Sequence, residues 1–320
     1  MGRTRGRETY DGWIRGTYRG GMVWLVVILI SFMALPIVSI ASTDGSIRAT
    51  EGPTPPINPG GSGLVQPPAL VSGSFDIVVS FSGGLTPSQQ AIFTVAETMW
   101  ESVLTGYQPG VTYTGSLVIS AEGTAIDGVG GVLGSAGPDT VLGSGGFLIA
   151  TTGSMEFDTA DLASLETGGT LGDVIAHEMG HVIGFGTLWS SSGVSSPGFQ
   201  EVYVDGTGQF TGVAALAAYK SEFSQPVATS VPVELGGGSG TADGHWNEVD
   251  GGAGLTGITD GDGNDMVFEL MTGWLNAPTF LSQTTISSFE DIGYTVVPEP
   301  ATFSLLMIGG LALVRRRRRA

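Results

Sequence analysis

The stretch His177-Glu178-Met179-Gly180-His181-Val182-Ile183-Gly184 holds two of the three histidines in the 320-residue chain. His177 and His181 are four residues apart, so on a helix they leave the same face one turn apart. That spacing lets two imidazoles bind a single metal ion, with Glu178 beside them as general base for a water activated at the metal. The surroundings read as helix. Thr170-Leu171-Gly172-Asp173 has the form of a capping box, with Thr170 as N-cap. Val174, Ile175, Val182 and Ile183 provide apolar faces, and Gly184 stands where the helix should end. The expectation is a buried helix over 171–183 carrying a zinc site.

A catalytic zinc site needs three protein ligands and an open fourth position. In the pattern H-E-x-x-H-x-x-G-x-x-H, Gly184 fills the glycine position, but the third histidine position is occupied by Thr187. The remaining histidine, His245, lies 64 residues beyond His181. Imidazole suits zinc well. Glu201 and Glu222 are rival third ligands, because a glutamate from a second helix serves in other zinc sites; Asp205 and Asp243 are further oxygen donors.

Three short blocks carry a resemblance. His177 to Gly184, then Gly244-His245-Trp246-Asn247-Glu248, then Glu269-Leu270-Met271-Thr272-Gly273-Trp274-Leu275-Asn276 look like the leishmanolysin-type metzincins. The run from Thr285 to Tyr294 resembles the helix that closes those domains. The resemblance implies an α+β, zincin-like fold: a mixed twisted sheet and active-site helix in an N-terminal subdomain, and a loop-rich C-terminal subdomain. It implies His245 as the third ligand, displaced downstream by an insertion, and Met271 on a tight turn beneath the metal, supporting the site without binding. Two departures stand out. His245 and Met271 are 26 residues apart, a long gap containing a Gly/Asp-rich stretch, and the chain has no cysteine. Latency through a cysteine thiolate is therefore impossible. The resemblance is to a cysteine-free bacterial branch of that architecture.

The two ends read as addresses. Five arginines within the first 21 residues precede an apolar run over 22–40, and Ser39-Ile40-Ala41 has the small residues a signal peptidase reads. Residues 1–41 are expected to be a signal peptide, with an uncleaved membrane anchor as the alternative. At the other end Pro298-Glu299-Pro300 precedes an apolar run over 301–314 and five arginines at 315–319. This resembles the PEP-CTERM sorting signal, which implies an exosortase-type sorting enzyme as partner. It also implies a transient membrane passage, with the arginines cytoplasmic and the preceding domain exported to the cell surface or matrix of a Gram-negative bacterium.

Between the ends, residues 42–297 hold 27 acidic and two basic side chains, Arg48 and Lys220, for a net charge near −25. Such a surface repels nucleic acid, because phosphate contacts need lysine and arginine. An exported chain without cysteine is held by core packing and bound metal, not by disulfides. Residues 42–70, rich in Pro and Gly, read as a linker to a metallopeptidase domain over 71–297, with subdomains at about 71–186 and 187–297 and the sorting segment at 298–320.

Within the domain, 75–81 alternates like a strand. Thr86-Pro87-Ser88-Gln89 opens a helix with a capping box and proline at its first position. Residues 111–121 and 146–152 read as strands, with 154–158 as an edge strand for an extended peptide substrate. Trp246 and Trp274 are expected in the core or the cleft wall, and Tyr294 as a core residue or an oxyanion donor. Asp260-Gly261-Asp262-Gly263-Asn264-Asp265 raises the possibility of calcium, though an EF-hand would have glycine and glutamate where Asp265 and Met271 stand.

These residues predict an exported zinc endopeptidase acting on protein or peptide. Two other readings stay open: a non-catalytic matrix or adhesion protein with a structural or vestigial zinc site, and an enzyme acting on non-peptide amides.

Overall fold

The computed structural model describes residues 75–190, 199–248 and 254–298, and the backbone of two strands at 37–39 and 45–49. The expected signal peptide apart from residues 37–39, most of the linker, Glu299, Pro300 and the terminal arginines lie outside the described residues.

In chain order the elements are β1 (Ile37–Ser39), β2 (Gly45–Ala49), β3 (Ile77–Gly83), α1 (Pro87–Val103), β4 (Leu104–Tyr107), β5 (Leu117–Thr124), β6 (Val132–Ser144), β7 (Phe147–Asp158), α2 (Leu162–Gly168), α3 (Leu171–Ile183), β8 (Gln209–Phe210), α4 (Val213–Glu222), β9 (Val231–Pro232), β10 (Trp274–Leu275), α5 (Gln283–Asp291) and β11 (Tyr294–Val296). The main sheet runs β10-β2-β6-β7-β5-β3, with β1 also paired to β6. Strands β3, β5 and β7 are parallel to one another, and β6 returns antiparallel to β7. The fold is thus α+β with a mixed sheet.

α1 begins as its sequence predicts. The Gln89 backbone N–H donates to Thr86 Oγ1 at 3.3 Å, and the Thr86 N–H donates to Gln89 Oε1 at 2.9 Å. Pro87 takes the first helical position, where a missing N–H costs nothing. α3 also has its expected bounds, but the capping box at Thr170 does not form. Thr170 has helical dihedrals and makes no side-chain cap bond. Asp173 turns inward instead, and burial raises its carboxyl to about 6.

α3 packs on β6 and β7, and α1 packs on α3. A Cβ at Gly153 of β7 would meet Val182 Cγ1 at 2.3 Å, so the missing side chain lets the helix lie close to the sheet. Trp100 of α1 is fully buried and donates its indole N–H to the Ala176 carbonyl at 2.9 Å, fixing one helix against the other.

The strand expectations need two corrections. Residues 111–116 are not strand, and β5 starts at Leu117. Residues 154–158 are not an edge, because they continue β7, which is paired on both sides by β5 and β6. The strand beyond them is β6, which the sequence reading missed. Its glycines and Pro138 hide the alternation, and a long ladder to β7 makes up for the weak local propensity. β2 lies inside the stretch read as linker. The Pro/Gly cluster that suggested a linker begins only after Ala49.

The C-terminal part is tied back by reciprocal caps. Asp291 at the end of α5 accepts from the Ala214 and Ala215 N–H groups at the start of α4, each at 2.9 Å. Glu222 at the end of α4 accepts from the Gln283 and Thr284 N–H groups and from Thr284 Oγ1 at the start of α5. β11 then pairs with β4, and the buried Tyr294 hydroxyl donates to the Ile183 carbonyl at 2.8 Å. Tyr294 is therefore a core residue bracing the end of α3.

Candidate metal centre

Helix geometry brings His177 and His181 to one face of α3, and both are fully buried. The chain leaves α3 at Gly184, whose φ is +138°. Gly186, at φ +71°, lets the following turn touch the backbone of Gly244, where a Cβ would come within 2.3 Å of the Gly244 carbonyl oxygen. Thr187, in the third-histidine position of the motif, donates its hydroxyl to the His181 carbonyl at 2.7 Å.

His245 arrives on a segment held by Trp246. The Trp246 N–H donates to the Met271 carbonyl at 3.0 Å, and its indole N–H donates to Thr285 Oγ1 at 2.7 Å. The ring stacks on Trp189 and lies edge-on to Phe185 and Phe210, placing it in the core. His245 itself is fully buried. Its Nε2 lies 3.1 Å from Nε2 of His177 and 3.0 Å from Nε2 of His181, and those two are 3.0 Å apart.

The other ring nitrogens settle what these contacts are. Nδ1 of His177, His181 and His245 faces the backbone carbonyls of Leu270, Phe185 and Thr241 at 2.6, 2.9 and 2.8 Å. A carbonyl oxygen only accepts, so each Nδ1 carries the proton and each neutral ring turns an Nε2 lone pair toward the other two. Burial, with the neighbouring rings next, holds His177 and His245 well below the ordinary imidazole range; burial holds His181 at about 4. Three converging lone pairs repel one another unless a cation lies among them. The donor set and spacing fit an ion that bonds imidazole nitrogen at about 2.0–2.1 Å. Among the described residues these three form the one His/Cys/Asp/Glu cluster able to hold a metal.

Glu178 is fully buried beside them, with its carboxylate against β6. A Cβ built on Gly134 would lie 2.8 Å from Glu178 Oε1. Met271 lies beneath α3, its Sδ and Cε each 2.9 Å from where a Gly180 Cβ would be. The preceding residue supplies the carbonyl that receives the His177 proton. Glu269 fixes this turn by accepting from the Met271 N–H at 2.6 Å and the Ser282 N–H and hydroxyl at 3.1 and 2.8 Å. Burial raises Glu269 to about 7 despite those bonds.

The rival ligands lie elsewhere in the described structure. Glu222 caps α5, Glu201 is exposed, Asp205 is exposed, and Asp243 accepts from the Tyr203 hydroxyl and from the Gly206 N–H at 2.8 Å. The acidic loop closes on itself. Asp260 accepts from the Asp262 and Asn264 N–H groups, and Asp265 accepts from those of Thr256, Gly257 and Val267. Reading the sequence did not single out Glu248, which is buried with no well-formed hydrogen bond to either carboxyl oxygen. Burial and then Glu234 raise it to about 9. Nor did it single out Gly134, whose closeness to Glu178 depends on β6.

Fold and site together define an α+β protein with a buried three-histidine cluster that can hold a metal ion. Residues 296–319 match the PEP-CTERM protein-sorting motif, and so include Pro298, Glu299 and Pro300. That motif implies recognition by an exosortase-type sorting enzyme, and export with surface sorting in a Gram-negative bacterium. No curated protein matches the chain. Among the described residues no helix is long and apolar enough to cross a membrane; the apolar run at 301–314, and that at 22–40 apart from residues 37–39, lie outside them.

Proposed function

We propose that the chain is an exported zinc-dependent endopeptidase of the leishmanolysin-like, metzincin type. The observation that carries this reading is the convergence of three neutral Nε2 atoms, with Glu178 held one residue along the same helix. Zinc in such a site polarises a scissile carbonyl and lowers the pKa of water. The chain's own residues supply the rest. His177, His181 and His245 would hold the ion, their tautomers fixed by the three carbonyls. Glu178 takes the proton from the attacking water and returns it to the leaving amine nitrogen. Burial of that carboxylate strengthens its interactions by excluding solvent. β6 runs beside Glu178, so an extended peptide aligned there by strand pairing would take the place that β2 holds on β6.

A second reading is a surface or matrix protein with a structural zinc. The complete burial of all three imidazoles favours it, since closed sites suit structural metal. A structural site has no use for a base, which is how Glu178 separates the two readings.

The test is the exported segment 42–297, loaded with zinc, on an unfolded protein substrate beside Glu178→Ala. Cleavage by the parent, lost with chelator and in the variant, supports the peptidase. Zinc at one per chain with no cleavage by either, nor by the parent with β2 weakened by Ile47→Pro and Arg48→Pro, moves the assignment to the structural reading.

A further inference from the structure

β6 has one edge paired to β7, and near its start the opposite edge faces the metal centre. That second edge is filled by the chain itself. Gly45, Ser46, Ile47 and Arg48 of β2 run antiparallel to β6, opposite Ala136, Ser135, Gly134 and Val132, with a register shift between Ile47 and Arg48. On its far side β2 runs parallel to β10, with Arg48 opposite Trp274 and Ala49 opposite Leu275. In the sheet order β2 lies between β6 and β10, so it fills a one-strand gap between the two walls.

The register places that strand at the site. Gly134, opposite Ile47, is the residue against which the Glu178 carboxylate rests. Trp274, opposite Arg48, follows Gly273, where a Cβ would lie 3.7 Å from Cγ of the His245 ring. β2 also packs on α3, the helix that carries His177, Glu178 and His181. The backbone at Ile47 and Arg48 therefore runs where an extended peptide would have to run to reach Glu178.

We infer that Gly45–Ala49 is a resident occupant of the peptide groove, and that the exported chain must shed or displace this strand before another peptide enters. The inference rests on reading the groove as a peptide-binding site, as the proposed function does. Main-chain pairing accepts many sequences, so a tethered strand competes with any extended peptide. A strand tethered to the same chain acts at an effective concentration of up to the order of millimolar, which raises the apparent Kd of a micromolar ligand severalfold to a thousandfold. Cleavage after Ala41 would leave the strand attached, whereas a cut between β2 and β3 would turn it into a dissociable peptide.

The test is peptide binding in the zinc-loaded chain from 42 to 297 carrying Glu178→Gln, which separates binding from turnover. The probe is a fluorescein-labelled synthetic peptide of residues 43–51, followed by anisotropy. The comparison is the same chain with Ile47→Pro and Arg48→Pro, which removes both N–H groups and so weakens β2 whichever one donates to β6. Circular dichroism and zinc content verify that both chains are folded. We expect at least tenfold tighter binding in the double variant, with faster amide exchange at 132–136 that the added peptide slows again. Equal affinity, or no binding to either chain, overturns the inference. Protein cleavage is scored separately in the chain that carries Ile47→Pro and Arg48→Pro with Glu178 intact, where β2 no longer fills the groove. Cleavage with equal peptide affinities sinks the resident strand and leaves the peptidase, whereas a tenfold difference without any cleavage does the reverse.

Discussion

At the residue scale the centre depends on three ring nitrogens that face one another and three that are held away. His245→Ala removes one of the three donors. We expect zinc affinity to fall by more than the about 10–100-fold that loss of a ligand's hydrogen-bonding partner costs, measured by competition with a chromogenic chelator. Glu178→Gln should keep zinc at the parent stoichiometry and lower peptide hydrolysis by about 10²–10⁴-fold, because it removes the base and no ligand. Gly134→Ala tests the packing of that base. The new methyl would meet Glu178 Oε1, Cγ and Cδ at 2.8, 3.0 and 3.1 Å, so the carboxylate must shift. Misplacing a reacting group by about 1 Å costs on the order of 10²-fold. The expected result is a loss of kcat with zinc content unchanged; unchanged kcat would mean that Glu178 needs no fixed seat.

At the element scale, α4 and α5 each cap the other through an acidic side chain. Glu222→Ala removes an acceptor for two backbone N–H groups and a hydroxyl at the start of α5, which should cost about 1–2 kcal/mol in urea unfolding. Because Glu222 caps a helix and does not join the histidine cluster, zinc content should be unaffected. Loss of zinc in this variant would revive Glu222 as a ligand. α5 also receives Glu269 and Trp246, so one short helix braces both the Met271 turn and the segment bearing His245.

At the scale of the whole molecule, buried acids make stability depend on pH. Burial, with Glu234 next, raises Glu248 from 4.5 to about 9. Below pH 4.5 both folded and unfolded chains hold this proton, and the contribution is fully present. Between 4.5 and about 9 the unfolded chain has released it and the folded chain has not, so stability falls as pH rises by up to about 1.4 kcal/mol per unit. Glu269 adds a slope of the same sign up to about 7. His177, His181 and His245, all lowered from 6.5, act oppositely in the metal-free chain, their contribution being lost as pH falls below 6.5. Above pH 6.5 the imidazoles are neutral in both states, so urea midpoints of the metal-free chain should decline from neutral to alkaline pH, and Glu248→Gln should flatten the decline. An unchanged slope in the variant would mean that Glu248 titrates normally.

The sequence by itself determined the features written in neighbouring residues. The i, i+4 histidines and their helix over 171–183, the capping box at Thr86 and the sorting motif at 296–319 are local patterns, so periodicity, cap chemistry and composition reveal them. His245 and Met271 were reached by resemblance and by the scarcity of histidine, not by any local signal. Tertiary structure decided what depends on distant segments meeting. It brought His245 within 3.1 Å of the α3 pair, made β6 the strand beside Glu178, and placed β2 between β6 and β10. It also left the Thr170 box unformed, because the inward packing of Asp173 outweighed a local cap. The physical reason is the range of the interactions. Helix caps and periodic faces are settled within a few residues, whereas a strand in a glycine-rich chain is specified mainly by the ladder of its partner.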